Sequence, residues 1–218
     1  MKKIVVWDLP VRLFHWALVI LVCFSFYSGL TGGLTLMDYH MLSGYTILTL
    51  LVFRVGWGLI GTRWARFSSF LYSPRKLIDT ARHLFSRETE PYIGHNPLGG
   101  LSVLAMILAL LVQAITGLFA NDDILVEGPL RHLVSESTSN WLTEVHEINL
   151  WVIVALAILH MSAVLLYEFH KGQRLIFSMI TGRKFVADDA TGVNNRIIPA
   201  LILLALAASL VYLVVNEL

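Results

Sequence analysis

The chain has 218 residues, 56% of them hydrophobic and only 14% charged, with a mean hydropathy of +0.71. Soluble domains carry roughly a quarter charged residues, so this composition belongs in a lipid bilayer, and a formal net charge of +1 argues against nucleic acid as a partner. Cys23 is the single cysteine, which excludes an internal disulfide, a four-cysteine metal site and C-x-x-C-H attachment of a covalent cofactor.

Five stretches are long and apolar enough to cross about 30 Å of hydrocarbon as helices. Lys2 and Lys3 precede the first apolar run as in a signal peptide. Trp7, Asp8, Pro10 and Arg12 interrupt it, however, and no small-x-small cleavage site follows, so it reads as a retained span over 13–30, with Cys23 a small core residue. The second span, 40–60, opens on His40 and contains Arg54. Ser73-Pro74 then predicts a helix start. Over 74–86 the residues Leu77, Ile78, Ala81, Leu84 and Phe85 share one face, as in a helix lying in the membrane interface. The third span, 98–119, has no histidine; Gly99, Gly100 and Gly117 permit close packing, and Gln113 is its one strongly polar mid-span group. The fourth, 142–167, holds His146 and His160. The fifth, 197–215, is apolar apart from Ser209 and Tyr212 and reads as a peripheral helix facing lipid or a partner. No internal repeat is visible, and the whole chain reads as one integral-membrane domain.

Lys and Arg placement orients the spans. The N-terminal tail carries Lys2, Lys3 and Arg12. The second connection carries Arg63, Arg66, Arg75, Lys76, Arg82 and Arg87, and the fourth carries Lys171, Arg174, Arg183, Lys184 and Arg196. These segments alternate and so share one side, leaving Arg131 in the opposite loop and Arg54 inside a span. The expected topology has a cytoplasmic N-terminus and a C-terminus outside.

Depth can then be assigned to each span histidine. On the fourth helix His146 and His160 are fourteen residues apart, roughly 21 Å along the axis and within about 40° of one face. His40 shares the outer level with His146, and His15 shares the inner level with His160. The same fourteen-residue step places Arg54 below His40 and Gly29 above His15, while Gly44 lies one turn from His40. Ionisable groups in a span are costly and are functional candidates by default.

Two imidazoles per level are too few for zinc or copper sites, which gather three or four ligands in one place. They suit the two axial positions of a haem iron, with glycines leaving room for a flat ring and Arg54 pairing a propionate. A bis-imidazole iron has no open position, so it passes electrons and makes no bonds. His83, His95, His132 and His170 fall in loops or at their borders and read as surface groups. Glu144, Glu147 and Asn149 flank His146, where they suit a quinone pocket or plain helix-end solvation. The outer loop, 121–141, sets Asp122, Asp123, Glu127 and Glu136 against Arg131. Its acidity is what the insertion rule leaves by default, and it would also suit docking of a basic redox partner such as a c-type cytochrome.

These residues carry a resemblance. W-D-L-P-V-R-L-F-H-W around His15, H-x3-G followed by F-R-V-G-W-G-L-I-G from His40, G-H-N-P-L-G-G before the third span, the two fourth-span histidines and E-F-H-K-G-Q-R-L-I-F-S-M-I-T-G-R-K after it together resemble the bacterial cytochrome b561 group. The likeness extends especially to the branch containing the b-type cytochrome subunit of membrane nickel–iron hydrogenases, over nearly the whole length. It implies an all-α membrane protein of the bacterial inner membrane, with a four-helix bundle holding two non-covalent b haems and a fifth peripheral helix. Residue by residue, its ligands fall on His15, His40, His146 and His160. Members exchange electrons with quinone or quinol, and their partners include a hydrogenase subunit, another oxidoreductase or a soluble cytochrome.

The expected function is therefore a di-haem cytochrome b carrying electrons across the membrane between a quinone pool and a periplasmic or membrane partner. A stand-alone quinol oxidoreductase is the alternative within that class. A proton or metal transporter using the histidines as a relay is the alternative outside it.

Overall fold

The structure is a computed structural model that describes residues 2–86, 92–186 and 191–217; Arg87, counted above in the second connection, lies outside them. Among the described residues five helices are long and apolar enough to span a membrane: α1 (Leu9–Thr31), α2 (Leu34–Ile60), α4 (Pro97–Gly117), α5 (Glu136–Leu165, continued by a π turn over Leu166–His170) and α7 (Ile197–Asn216). Two shorter helices accompany them, α3 (Pro74–Arg82) and α6 (Leu175–Thr181). The helical membrane architecture expected from the sequence is present.

Several helices start earlier than hydropathy predicts, because polar caps rather than apolar content decide where they begin. Asp8 Oδ1 accepts the Val11 N–H at 2.8 Å, and Pro10 needs no partner in the first turn, so α1 begins at Leu9. Gly32 and Gly33 turn the chain with φ of 70° and 89°, after which nothing delays α2. His40 therefore sits nearly two turns inside α2, not at its start. Ser135 Oγ accepts the Thr138 N–H at 3.3 Å and caps α5 six residues ahead of the expected boundary. Asn96 Oδ1 does the same for α4 through Gly99 N–H, at 2.7 Å. Ser73 caps α3 as predicted, but that helix stops at Arg82, and Leu84 and Phe85 follow in turns.

Large apolar side chains such as Ile20, Leu59, Leu108, Trp151 and Leu206 are exposed along the long helices, where only hydrocarbon would solvate them. Cys23 is exposed among them on α1, so it faces outward and is not the core residue expected.

The chain divides into two compact units. The first comprises Met1–Leu13, Val55–Met106 and Ala155–Ala200. It holds a feature absent from the sequence reading, an antiparallel ribbon of β1 (Lys2–Val5) and β2 (Arg183–Val186), with Lys2 opposite Val186 and Val5 opposite Arg183. Gly182 ends α6 at φ 77°, and its carbonyl accepts the N–H groups of Val6 and Trp7 at 2.8 and 3.1 Å. Ile4, Val6 and Val186 are buried under Trp7, Trp64 and Ile93. His95 is also in this unit, half-buried between Trp7 and Phe70 at ring-centroid distances of 4.6 and 4.8 Å, which corrects its reading as a surface group. His83 and His170 are exposed, as expected.

The second unit comprises Phe14–Arg54, Ile107–Val154 and Leu201–Leu218. Leu48 of α2, Leu118 just after α4, Leu130 and Val211 of α7 form its buried cluster. α7 buries Ala207 and Val211 while Leu206, Leu210, Tyr212 and Leu213 stay exposed, the pattern of a helix with one packed face.

Candidate functional site

His40 on α2 and His146 on α5 meet in the second unit with ring centroids 6.2 Å apart and planes crossed at 75°. Each ring is held through Nδ1 by a backbone carbonyl of a neighbouring helix. His40 Nδ1 lies 3.0 Å from Ser25 O on α1, and His146 Nδ1 lies 2.9 Å from Gln113 O on α4. A carbonyl can only accept, so Nδ1 carries the proton in both rings. In the neutral imidazole this leaves Nε2 unprotonated and able to bind a metal.

A hydroxyl reinforces each contact. Ser28 Oγ donates to Phe24 O at 2.9 Å and stands 3.3 Å from His40 Nδ1; Thr116 Oγ1 donates to Val112 O at 2.7 Å and stands 3.3 Å from His146 Nδ1. Each hydroxyl has spent its proton on the helix and offers an oxygen to the imidazole N–H. Beside each stands a glycine: a Cβ on Gly29 would lie 3.0 Å from His40 Cε1, and one on Gly117 would lie 3.0 Å from His146 Cε1. Gly29, read in the sequence as clearance for a flat ring, is thus a position where the backbone closely approaches the His40 imidazole. Gly117 has the same duty, which its reading as a packing glycine missed.

The rings border a cavity of about 480 Å³ that Gly29, Gly44, Gly117, Met41 and Leu110 also line. A Cβ on Gly44 would meet nothing within 4 Å, so this glycine opens onto free space and presses on no side chain. Cofactor sites run about 300–1,000 Å³ and are mostly apolar with a few placed polar groups. Two imidazoles bound through Nε2 to one metal at about 2 Å have ring centres about 6 Å apart, so the spacing of His40 and His146 fits one metal between them. Among the described residues no three His, Cys, Asp or Glu side chains gather into a metal-binding group. The donor set is two neutral imidazoles above an apolar cavity, which fits a haem.

His15, on α1 in the second unit, is half-buried with its ring edge-on to Trp16 at 4.9 Å. His160, on α5 in the first unit, is half-buried. Arg54 is 3% exposed on α2. Glu144 and Glu147 are exposed. Asn149 has a defined role: its Nδ2 donates to Gln113 Oε1 at 2.8 Å and to Ala109 O at 2.9 Å, which accounts for both polar groups the sequence left open.

A second polar centre escaped sequence reading. Asp8, 0% exposed in the first unit, accepts from Val11 N–H through Oδ1 and from Trp57 Nε1 (3.1 Å) and Thr62 Oγ1 (2.5 Å) through Oδ2. It ties the start of α1 to the end of α2. In the sequence it registered only as an interruption of an apolar run.

Spanning helices with a paired-imidazole cavity define a membrane haem protein of the electron-carrying kind. The chain belongs to the prokaryotic cytochrome b561 family, whose model matches residues 6–182. Among curated relatives, the probable Ni/Fe-hydrogenase B-type cytochrome subunit of Rhodobacter capsulatus is 28% identical, across 86% of this chain and 83% of its own. That of Rhizobium leguminosarum bv. viciae is 27% identical, across 86% and 91%, and the probable Ni/Fe-hydrogenase 1 B-type cytochrome subunit of Escherichia coli (strain K12) is 23% identical, across 81% and 88%. No solved structure matches. The protein is thus a multi-pass membrane cytochrome of electron transport, with haem b as its cofactor.

Proposed function

We propose that the protein is a di-haem relay that passes electrons one at a time across the bacterial inner membrane, between a quinone pool and a redox partner on the periplasmic side. The whole chain acts as one membrane domain, with its N-terminus in the cytoplasm and its C-terminus in the periplasm. The observation that carries this reading is the His40–His146 pair, each ring fixed as the Nδ1–H tautomer beside an apolar cavity. These two histidines would hold the outer haem, and His15 and His160 the inner one. Arg54 would supply a guanidinium to a haem carboxylate, and Gly29 and Gly44 the clearance for ligand and ring. When bound, such a group would supply reversible one-electron redox chemistry. The chain's part is to orient the imidazoles, exclude water with apolar side chains and fix the tautomer, the levers that set a potential.

The relatives support one choice of partner. Those named above carry the name of a hydrogenase cytochrome subunit and align along most of their length, so a membrane-bound nickel–iron hydrogenase is the partner this reading favours. Purified protein in liposomes, given a quinol on one side and an impermeant acceptor on the other, tests the relay. Haem oxidation by the acceptor followed by slow or no re-reduction by quinol alone would support a relay that needs its partner. Rapid quinol-driven turnover without any partner would favour the stand-alone oxidoreductase.

A further inference from the structure

The two imidazoles are held by matched sets of residues that extend beyond the immediate contacts. In each set a backbone carbonyl accepts the imidazole Nδ1–H, that of Ser25 for His40 and that of Gln113 for His146. Three residues on stands a hydroxyl, Ser28 or Thr116, bonded to the carbonyls three and four residues back and facing the same Nδ1. Four residues on stands the glycine, Gly29 or Gly117. The side chain of that carbonyl-bearing residue then reaches the helix that carries the histidine, and in both sets it meets the residue three positions after that histidine. Ser25 Oγ lies 2.5 Å from Ser43 Oγ, and Gln113 Oε1 lies 2.8 Å from Asn149 Nδ2. Ser43 Oγ donates to His40 O at 2.8 Å, so the proton between the two serines comes from Ser25.

The geometry points to two equivalent clasps, Ser25–Ser43 and Gln113–Asn149, that lock each carbonyl to the helix bearing its histidine and so set imidazole orientation and Nδ1–H···O=C strength at one haem. Ser43 and Asn149 are positioning residues: each acts through the carbonyl-bearing residue and neither holds an imidazole itself. The helix pairs α1–α2 and α4–α5 use the same device with different residues, Ser–Ser in one and Gln–Asn in the other. Ser43 is 5% exposed, and Asn149 divides its two protons between Gln113 Oε1 and Ala109 O, so both are committed to the clasp. A firm bond from Nδ1–H to a carbonyl makes the ligand more electron-rich and favours ferric iron. Loosening either clasp should raise the potential of the haem it serves.

This inference rests on His40 and His146 being the ligands, and the test separates the two claims. Purified holoprotein of Ser43→Ala, Ser43→Thr and Asn149→Ala is assayed for haem per chain, for midpoint potentials by redox titration and for the ferric low-spin EPR signal. Ser43→Ala and Asn149→Ala should each move one haem's potential upward and alter its EPR signal while the other haem keeps both. Ser43→Thr, which retains the hydroxyl, should stay close to the parent. Loss of one haem in Ser43→Ala but not in Ser43→Thr would also support the clasp. Unchanged potentials and EPR signals at full haem content, equal shifts in both haems, or loss of both haems would overturn it. Full haem content in His40→Ala and His146→Ala would overturn the ligand assignment itself, whatever the clasp variants do.

Discussion

Gly29 on α1 and Gly117 on α4 stand in one and the same relation to different histidines: a Cβ on either would come within 3.0 Å of an imidazole Cε1, His40 for the first and His146 for the second. That distance is tighter than ordinary packing, and neither ring can retreat without stretching its bond to a carbonyl. Gly29→Ala and Gly117→Ala should therefore each perturb the same haem, lowering its retention or changing its ligand-field spectrum. Gly44→Ala meets no protein atom within 4 Å and should leave both imidazole bonds in place, so that any change it makes comes from crowding the ring and is smaller than theirs. Absorption spectra of the three purified variants check this ordering.

Asp8 is the next place where a single atom group matters. Replacing it with Ala removes the carboxylate that accepts from a buried indole N–H and a buried hydroxyl and removes the cap of α1. Unsatisfied buried donors cost about 1–3 kcal/mol each, so Asp8→Ala should destabilise the protein by roughly 2–5 kcal/mol. Asp8→Asn keeps one acceptor oxygen and should lose less. Thermal unfolding in detergent, followed by circular dichroism, measures the difference.

In the loop between α4 and α5, Asp122 accepts the N–H groups of Val126, Leu125 and Ile124 at 2.8, 2.9 and 3.0 Å. These bonds, Val126 foremost, hold its carboxyl below the ordinary aspartate range. The sign follows: a depressed carboxylate contributes to order above its unfolded value and loses that contribution as pH falls through the lowered one. The loop should thus keep its form between about pH 5 and 8. Asp122→Ala should open it across that range, seen as faster cleavage near the exposed Ile124 and Leu125 by an added protease.

Topology is testable with cysteine chemistry, since Cys23 can be replaced by Ser. In that background Leu125→Cys, on an exposed loop residue, should react with an impermeant maleimide added to intact cells, and Arg82→Cys, on exposed α3, should react only after lysis. The reverse pattern would invert the orientation assigned from Lys and Arg placement.

The number and kind of spans were legible because lipid imposes a length and an apolar composition that few other environments demand. The level shared by His40 and His146 was legible too, because helix rise converts sequence distance into depth. What surrounds those rings was not. Ser28 and Thr116 look like ordinary span hydroxyls bonded back to their own helix, and only the histidine across from them gives them a second duty. Ser43 and Asn149 acquire meaning through residues on another helix, which no periodicity within one span encodes. Asp8 needed Trp57 and Thr62, some fifty residues away, to become a buried anchor. The β1–β2 ribbon joins four-residue strands about 180 residues apart, each opening on two basic residues and too short to alternate visibly.

The most direct test of the account is haem per chain by pyridine haemochrome, measured on the purified protein and on His40→Ala, His146→Ala and His15→Ala made with ample haem. Two b haems per chain in the parent, and one in each variant, is the predicted result, with His40→Ala and His146→Ala sparing the same haem and His15→Ala sparing the other. A colourless parent would contradict the relay and bring forward a histidine-relay transporter, and a His40→Ala protein that keeps both haems would contradict the ligand assignment.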